Sequence, residues 1–487
     1  MSKQMKEIKI DYRFLARVVI EAATPLAVHS GEKNFLTDAV VMKDVNGLPY
    51  IPGSSIAGVL RHAWKESGND VDWLFGFQNF QKSVDEEKVQ NDEDKDPDGM
   101  GSRLILTEAR ILNSKGEVIE GLVLDATSDD LLKHYEDLPV RQHVRMTHRG
   151  VAADKGKFDE QVVFAGTRFC FEMEMLGQKD ETETFKQLLA ILNQSTFRLG
   201  GGSRKGFGKI EVVEIKYDEM EIKDPYYLEK SSDLEKCKEW YRQTLPKPKN
   251  SEVKIHCYML RPENFFLFGS GFGDGDADMT PVKEQKVVWD GTIEKPFGHL
   301  AIEEYLIPAT SVKGALAHRT AFHYNRIDNF FADGKTKEEI EAHTGTNNEA
   351  VRMLFGYEGD ENGKGKQRGN VLLSDMFINN AQDKVFNHVA IDRFTGGSID
   401  GALFAEKAAY WHSDDKNDYP LTLEILIDEK NIKKAVNKHN EDSEKKISYE
   451  NVCNAFNAAL ADLCEGRLPL GGSVNRGHGI FNGKKCE

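Results

Sequence analysis

Nowhere in the 487 residues do about 18 apolar residues run together, so no segment is expected to span a bilayer. Cysteine is scarce. The six residues Cys170, Cys237, Cys257, Cys453, Cys464 and Cys486 form no CxxC pair, which points to a reducing compartment and no structural zinc. The opening segment MSKQMKEIKIDY has no apolar core of the signal-peptide kind, and a cytoplasmic location is expected. A positive charge excess is also missing. At −16 overall, the chain looks ill suited to phosphate, whose binding is driven by Lys and Arg. Much of the acid, however, sits in inserts such as VDEEKVQNDEDKDPDG (84–99), whereas the repeated motifs described next are basic. An acidic body with basic working surfaces stays open.

Single hydrophobic cores stop growing at roughly 250 to 300 residues, so two domains of similar size are expected. With 39% hydrophobic and 30% charged residues, the composition is that of a globular protein rather than a disordered or membrane-embedded one. The two halves repeat one another. YIPGSSIAGVLRH (50–62) returns as YLIPATSVKGALAH (305–318), WLFGF (73–77) as MLFGY (353–357), and RLILTEARI (103–111) as NVLLSDMFI (370–378). Each half then carries a basic segment before another strand, HVRMTHRG (143–150) and HVAIDRFTGG (388–397). Last come an amphipathic helix and a glycine-rich loop, GGGSRKGFG in the first half and GGSVNRGHG in the second. The offsets differ: Pro52 to Pro308, Phe75 to Phe355 and Gly201 to Gly471 are separated by unequal distances, as in a duplication whose loops have drifted. Between the halves, SSDLEKCKEWYRQTLPKPKN (231–250) reads as a helix followed by a Pro- and Lys-rich linker. The expected division is a first module at 1–230, a helix and linker at 231–252, and a second module at 253–487.

Each module reads as strand, helix, strand, strand, helix, strand, with Ser54 or Ser55 capping the first helix. That order is the split βαβ, or ferredoxin-like, arrangement, so the fold class expected is α+β with two tandem modules of this type. Fold alone carries no function.

In GLPYIPGSSIAGVLRH, the LFG step, VAIDRFTGGSIDGALFAEK (389–407) and the two terminal glycine-rich loops, the chain resembles the RAMP proteins of CRISPR systems. Within them it is most similar to the backbone subunits of type III effector complexes, and the two units on one chain resemble the fused double subunit of type III-D-like variants. The resemblance implies a palm built on the ferredoxin-like core and a thumb hairpin around 388–407. It also implies a guide RNA (crRNA) along which such subunits stack, and a target RNA paired to it. The partners it implies are the large signalling subunit, other backbone subunits and a small subunit. The first thumb, VRMTHRGVAADKGKFDEQ, departs from the family pattern.

TDAVVMKD (37–44) matches the family stretch that carries the target-cleaving aspartate, which puts Asp38 in that role, with Val40 where the family's proline stands. A carboxylate there can hold a divalent ion, Mg2+ or Mn2+, or take the proton of a 2′-hydroxyl that a flipped nucleotide turns in line with its phosphate. A lone Asp before a strand also reads as a turn residue. In the second module two alignments stand. If TPVKE (280–284) matches, Asp278 or Asp276 lies near the catalytic position; if QKVVWD (285–290) does, the position falls on Gln285 and the second site is dead. The glycines of FGSGFGDGDADMT (268–280) fit neither dinucleotide nor phosphate-loop spacing. As an EF-hand the segment fails at Met279 and Gln285, so it reads as a flexible loop.

Candidate RNA contacts follow. Gly201, Gly202, Gly471 and Gly472 allow close approach to phosphates, with Arg204, Lys205 and Arg476 supplying charge, or else they form tight turns. Ser54, Ser55, Thr310 and Ser311 open helices whose Arg61, His62, Lys65, Lys313, His318 and Arg319 either hold guide backbone or form a solvated face. Arg141, His143, Arg145, His148 and Arg149 are dense enough in cations to need an anion nearby. Arg393 lies in the second thumb motif. A guide-processing ribonuclease would instead use His62 or His143 as a general base.

Overall fold

A computed structural model describes residues 10–34, 37–78, 99–224, 239–240, 253–359 and 365–486. The first module opens on β1 (Tyr12–Ala22), whose Phe14, Ala16, Val18 and Ile20 face the core at the strand period of two. α1 (Gly53–Glu66) follows and buries Ile56, Leu60 and Trp64, one residue per turn on a single face. Then come β2 (Leu104–Leu106), a hairpin of β3 (Val140–Met146) and β4 (Ala152–Gln161), β5 (Arg168–Gly177), α2 (Thr182–Ile191) and β6 (Ile210–Glu221). The antiparallel sheet runs β6-β1-β5-β2.

The second module repeats this. β7 (Val253–Pro262) is followed by an inserted hairpin, β8 (Val287–Gly291) and β9 (Pro296–Leu300), then by α3 (Ala309–Ile327), α4 (Glu349–Phe355) and β10 (Val371–Leu373). A second hairpin of β11 (Gln382–His388) and β12 (Phe404–Tyr410) precedes β13 (Leu421–Asp428), the added α5 (Glu429–Asp442), α6 (Tyr449–Cys464) and β14 (Phe481–Lys485). Its sheet order is β10-β13-β7-β14. Omitting the hairpins, both modules place their four strands in the order fourth, first, third, second. The chain is therefore an α+β protein of two tandem ferredoxin-like modules. In each, the hairpin projects from the connection between the second and third core strands, where the thumb was expected.

Several local readings change. Neither α1 nor α3 has a side-chain cap; Pro52 and Pro308 stand at the caps, and Ser54, Ser55, Thr310 and Ser311 lie within the first turn. Proline's fixed φ starts the helix where a hydroxyl was expected to. The amide of Ala309 is instead capped from a distance by Asp375 Oδ1, at 2.7 Å. The strands RLILTEARI and NVLLSDMFI each break at their acid, Glu108 or Asp375. The helix expected at 231–250 lies outside the described residues except at Glu239–Trp240, which form a short strand on the edge of β6. The acidic insert 84–99 likewise lies outside them but for Gly99. Cys257 on β7 and Cys486, just past β14, are joined as a disulfide, where a reducing compartment was expected. Among the described residues no helix is long and apolar enough to cross a membrane.

The modules meet head to tail. Hairpin β8–β9 clasps the first module: Val287 joins its core, its amide donates to Ala165 O at 2.8 Å, and Trp289 Nε1 donates to Gly166 O at 2.8 Å. Elsewhere the first module's glycine-rich loop docks on the start of α3. Arg204 Nε donates to Gly369 O at 2.7 Å and Lys313 Nζ to Arg204 O at 3.2 Å. A Cβ on Gly206 would come within 2.5 Å of the Ala309 methyl, so only glycine admits this approach.

Candidate nucleic-acid interface

Backbone hydrogen bonds align the two modules where motif matching left alternatives. The Ser30 amide donates to Val40 O at 3.1 Å and the Ser270 amide to Thr280 O at 2.8 Å. Asn34 Oδ1 accepts from Thr37, as Asp274 Oδ1 accepts from Ala277. Ala39 bridges in parallel to Glu160, as Met279 does to Glu406. Asp278 is thus the counterpart of Asp38. Asp276 lies two residues before that position, exposed and 3.5 Å from Lys407. Gln285 is elsewhere, donating to Ala301 O, and QKVVWD belongs to the clasping hairpin. The glycine-rich segment 268–280, expected to be a flexible loop, is the ordered equivalent of the Asp38 loop.

Both aspartates are seated on the far strand of their thumb hairpin. Asp38 N–H donates to Asp159 Oδ1 at 2.8 Å, and Asp159 N–H returns the bond to Asp38 Oδ2 at 3.3 Å. In the second module the Ala405 amide donates to Asp278 Oδ2 at 2.8 Å, but Ala405 has no carboxylate to offer. Asp38 is exposed, with Lys33 3.8 Å from its Oδ1. Asp274 pairs with Lys407, whose hydrogen bond holds that carboxyl down at about 2.

Beside each aspartate a buried glutamate ties the hairpin to the glycine-rich loop. Glu160, 4% exposed, lies 2.9 Å from both His143 Nε2 and Lys205 Nζ. Burial alone would raise this carboxyl, but the hydrogen bonds from His143 and Lys205 outweigh it and hold it at about 2. Glu406, fully buried, meets His388 at 2.9 Å, Ser473 at 2.6 Å, and Arg476 and His478 at 3.2 Å. Burial is again outweighed, here by Ser473, His388 and Arg476, and its carboxyl is lowered. His143 stacks on Phe158 as His388 stacks on Phe404. The glycine-rich loops register one residue away from the motif alignment: Gly201 matches Gly472, their amides donating to Ala27 O at 2.6 Å and Leu267 O at 2.7 Å. Lys205 accordingly matches Arg476.

The expected RNA contacts divide. Arg145 and Arg149 are exposed and His148 half-buried at the tip of the first hairpin; Arg393 is exposed on the second, beside Phe394 at 98% exposure. Arg61 and Ser54 line an open hollow on the first module. Arg141 departs from the surface role expected of it. It is 5% exposed, with Nη1 2.6 Å from Asp375 and Nε 2.5 Å from Glu284, so the anions its charge needs come from the second module. Those carboxylates outweigh burial and raise its pKa. His143 is likewise buried on Glu160. Lys313 is covered by the first module, and burial together with Arg204 and Lys205 pulls its pKa down to about 8. Arg319 is paired with Asp462. Arg204 faces the module junction, and Gly202 takes the left-handed backbone that glycine favours, with φ of 66°.

Sequence reasoning missed Asp159, Glu160, Glu284, Asp375 and Glu406. The shared F-x-E of FDEQ and FAEK was the available signal for the glutamates; nothing local marks the inter-module acids. Among the described residues no three acidic, His or Cys side chains converge as a metal cage. Asp38 and Asp159 nevertheless place two hard carboxylates side by side. That donor set fits Mg2+ or Mn2+, which bind through one or two carboxylates and complete their shell with phosphate and water.

The RAMP superfamily model matches residues 19–211 and 298–482, one stretch in each module. Among curated proteins no sequence matches the chain.

Proposed function

The chain belongs to the RAMP superfamily of CRISPR-associated RNA-binding proteins, and from that premise we propose that it is a fused double backbone subunit of a type III effector complex. It holds the crRNA along both modules and cuts the paired target RNA. The observation that carries this reading is the head-to-tail contact. The first module offers its glycine-rich loop and hairpin root to the helix start and Asp375 of the second. The equivalent loop of the second module (Gly471 to Gly477) is largely exposed, and α1 of the first module, through Ser54 at its start and Arg61 further along, lines an open hollow. A heterologous contact that does not close on itself continues as a stack, which suits neighbouring subunits along a guide.

For cleavage, Asp38 is the leading residue and Asp278 its counterpart. With a nucleotide flipped beside the hairpin root, the 2′-oxygen attacks the adjacent phosphorus in line and the 5′-oxygen leaves, taking a proton from solvent water, to give a 2′,3′-cyclic phosphate and a 5′-hydroxyl. Asp38 Oδ2 is committed to the Asp159 amide, which fixes the carboxylate and leaves Oδ1 to receive the 2′-hydroxyl proton. Asp38 and Asp159 would hold a divalent ion, which would neutralise charge at the phosphate when bound.

A scaffold without catalysis is the second reading, favoured by the reciprocal amide bonds of Asp38 and Asp159, which also serve as a structural clamp. Guide processing has less support: His143 is buried on Glu160, and His62 pairs with Glu66 on the surface of α1. Incubating the assembled complex with target RNA and Mg2+ separates the readings. Guided cleavage that Asp38→Ala removes supports catalysis; intact target under all conditions supports the scaffold.

A further inference from the structure

A half-open cleft of about 450 Å³ lies between the modules. Its walls come from the C-terminal half of α1, the first module's glycine-rich loop, the loop before β10 and the start of α5. That volume is the size of a small-ligand site. Cations dominate the lining: Arg198, Arg204, Arg368, Lys430 and Lys434 face two carboxylates, Glu66 and Asp428. Neither acid forms an ion pair with Arg198 or Arg204 among the described residues. Glu66 lies 3.0 Å from His62 and 3.7 Å from Arg368, while Asp428 caps α5 by accepting from Asn431 N at 3.0 Å.

Among the described residues neither Arg198 nor Arg204 has a carboxylate within ion-pair distance; Asp375 and Glu424 act on Arg198, and Glu66 and Asp428 on Arg204, only from farther off. Arg198 is 4% exposed, and its donors reach only Leu373 O at 3.2 Å, Ser374 Oγ at 3.0 Å and Phe207 O at 3.4 Å. Its Nε and the Nη1 of Arg204 are buried with no partner among the described residues. Among the described residues Arg204 donates only to the Gly369 carbonyl. Burying a guanidinium among neutral acceptors is costly, and a guanidinium does not shed its charge to escape. Burial, with the repulsion of Arg368 and Arg198, outweighs the attraction of Glu66 and Asp428 and pulls the Arg204 pKa down to about 9. An anion would meet these unpartnered donors.

We propose that this inter-module cleft is a phosphate site for a ligand of about one nucleotide in size, with Arg204 and Arg368 meeting the phosphate and Arg198 supporting it from behind. The wall also offers Val59, Phe197 and Leu372 as apolar surface for the remainder of such a ligand. The site is separate from the Asp38 region and does not depend on cleavage. Its phosphate belongs either to a free nucleotide or to one unit of an RNA strand.

Titration calorimetry of the full-length chain with AMP, with inorganic phosphate and with a short single-stranded RNA tests the proposal. At least one probe is expected to bind saturably. Its Kd should rise by about tenfold or more in Arg204→Gln and about threefold or more in Lys434→Glu, in keeping with the strength of charged hydrogen bonds. Binding of AMP identifies a free nucleotide; RNA binding alone, weakened by the same substitutions, identifies a strand phosphate. If Arg204→Gln does not fold by its unfolding curve, the half-exposed Arg368→Gln and the exposed Lys434→Glu carry the test. No binding by any probe, or binding that neither Lys434→Glu nor the arginine substitutions weaken, overturns the proposal.

Discussion

Arg141 in the first module's thumb and Asp375 at the helix start of the second lie 2.6 Å apart, both buried, with Glu284 closing the other edge of the guanidinium. Removing one partner of a buried pair leaves an uncompensated charge, so Arg141→Ala is expected to cost roughly 3 to 5 kcal/mol. Because the pair spans the modules, denaturant unfolding of this variant should separate into two transitions where the wild type shows one.

Glu160 links stability to pH. Its folded carboxyl is depressed to about 2 from an ordinary 4.5, so its contribution is fully present above pH 4.5 and is lost as pH falls toward 2. Glu160→Gln should therefore be less stable than wild type by roughly 1 to 3 kcal/mol at neutral pH. The difference should vanish at the acid end of urea titrations run across that window.

Gly479 has φ of 81°, and a Cβ there would sit 2.0 Å from Leu470 O. Gly479→Ala is expected to lower stability by roughly 2 kcal/mol or more, since both the left-handed backbone and the carbonyl oppose it. Gly314, within α3 and with open space where a Cβ would point, should gain about 0.5 to 1 kcal/mol as Gly314→Ala. Thermal unfolding of the two variants should shift in opposite directions.

The fold was legible because its signals are local. Alternating apolar residues mark β1 and β13, helical spacing marks α1 and α6, and the order of elements follows once the repeat is seen. The placement of the candidate site was legible in part. Asp38 stands in a recognisable run, whereas Asp278 is preceded by a loop of different composition, GFGDGDA against GEKNFLT, and the backbone hydrogen bonds and bridges around it, not its sequence, identify it. Arg141 misled because a cation-rich segment looks alike whether its anion is RNA or a carboxylate more than a hundred residues away. Lys313 misled for the same reason, covered as it is by a loop from the other module.

Asp159 distinguishes the two sites, since Ala405 stands at its position in the second. Replacing a carboxylate that orients the reacting group commonly costs about 10- to 100-fold in activity. Asp159→Ala is expected to slow the cut that depends on Asp38 by about that factor and to leave any cut that depends on Asp278 unchanged, as single-turnover kinetics on separated products would read.

Mapping every cut on a guide-matched target RNA, in complexes carrying Asp38→Ala, Asp278→Ala or both, tests the central claim most directly. The Asp38→Ala complex should still bind guide and target but lose one position in the cut pattern, with any position that depends on Asp278 retained. Cleavage at every position in the Asp38→Ala complex would contradict the account.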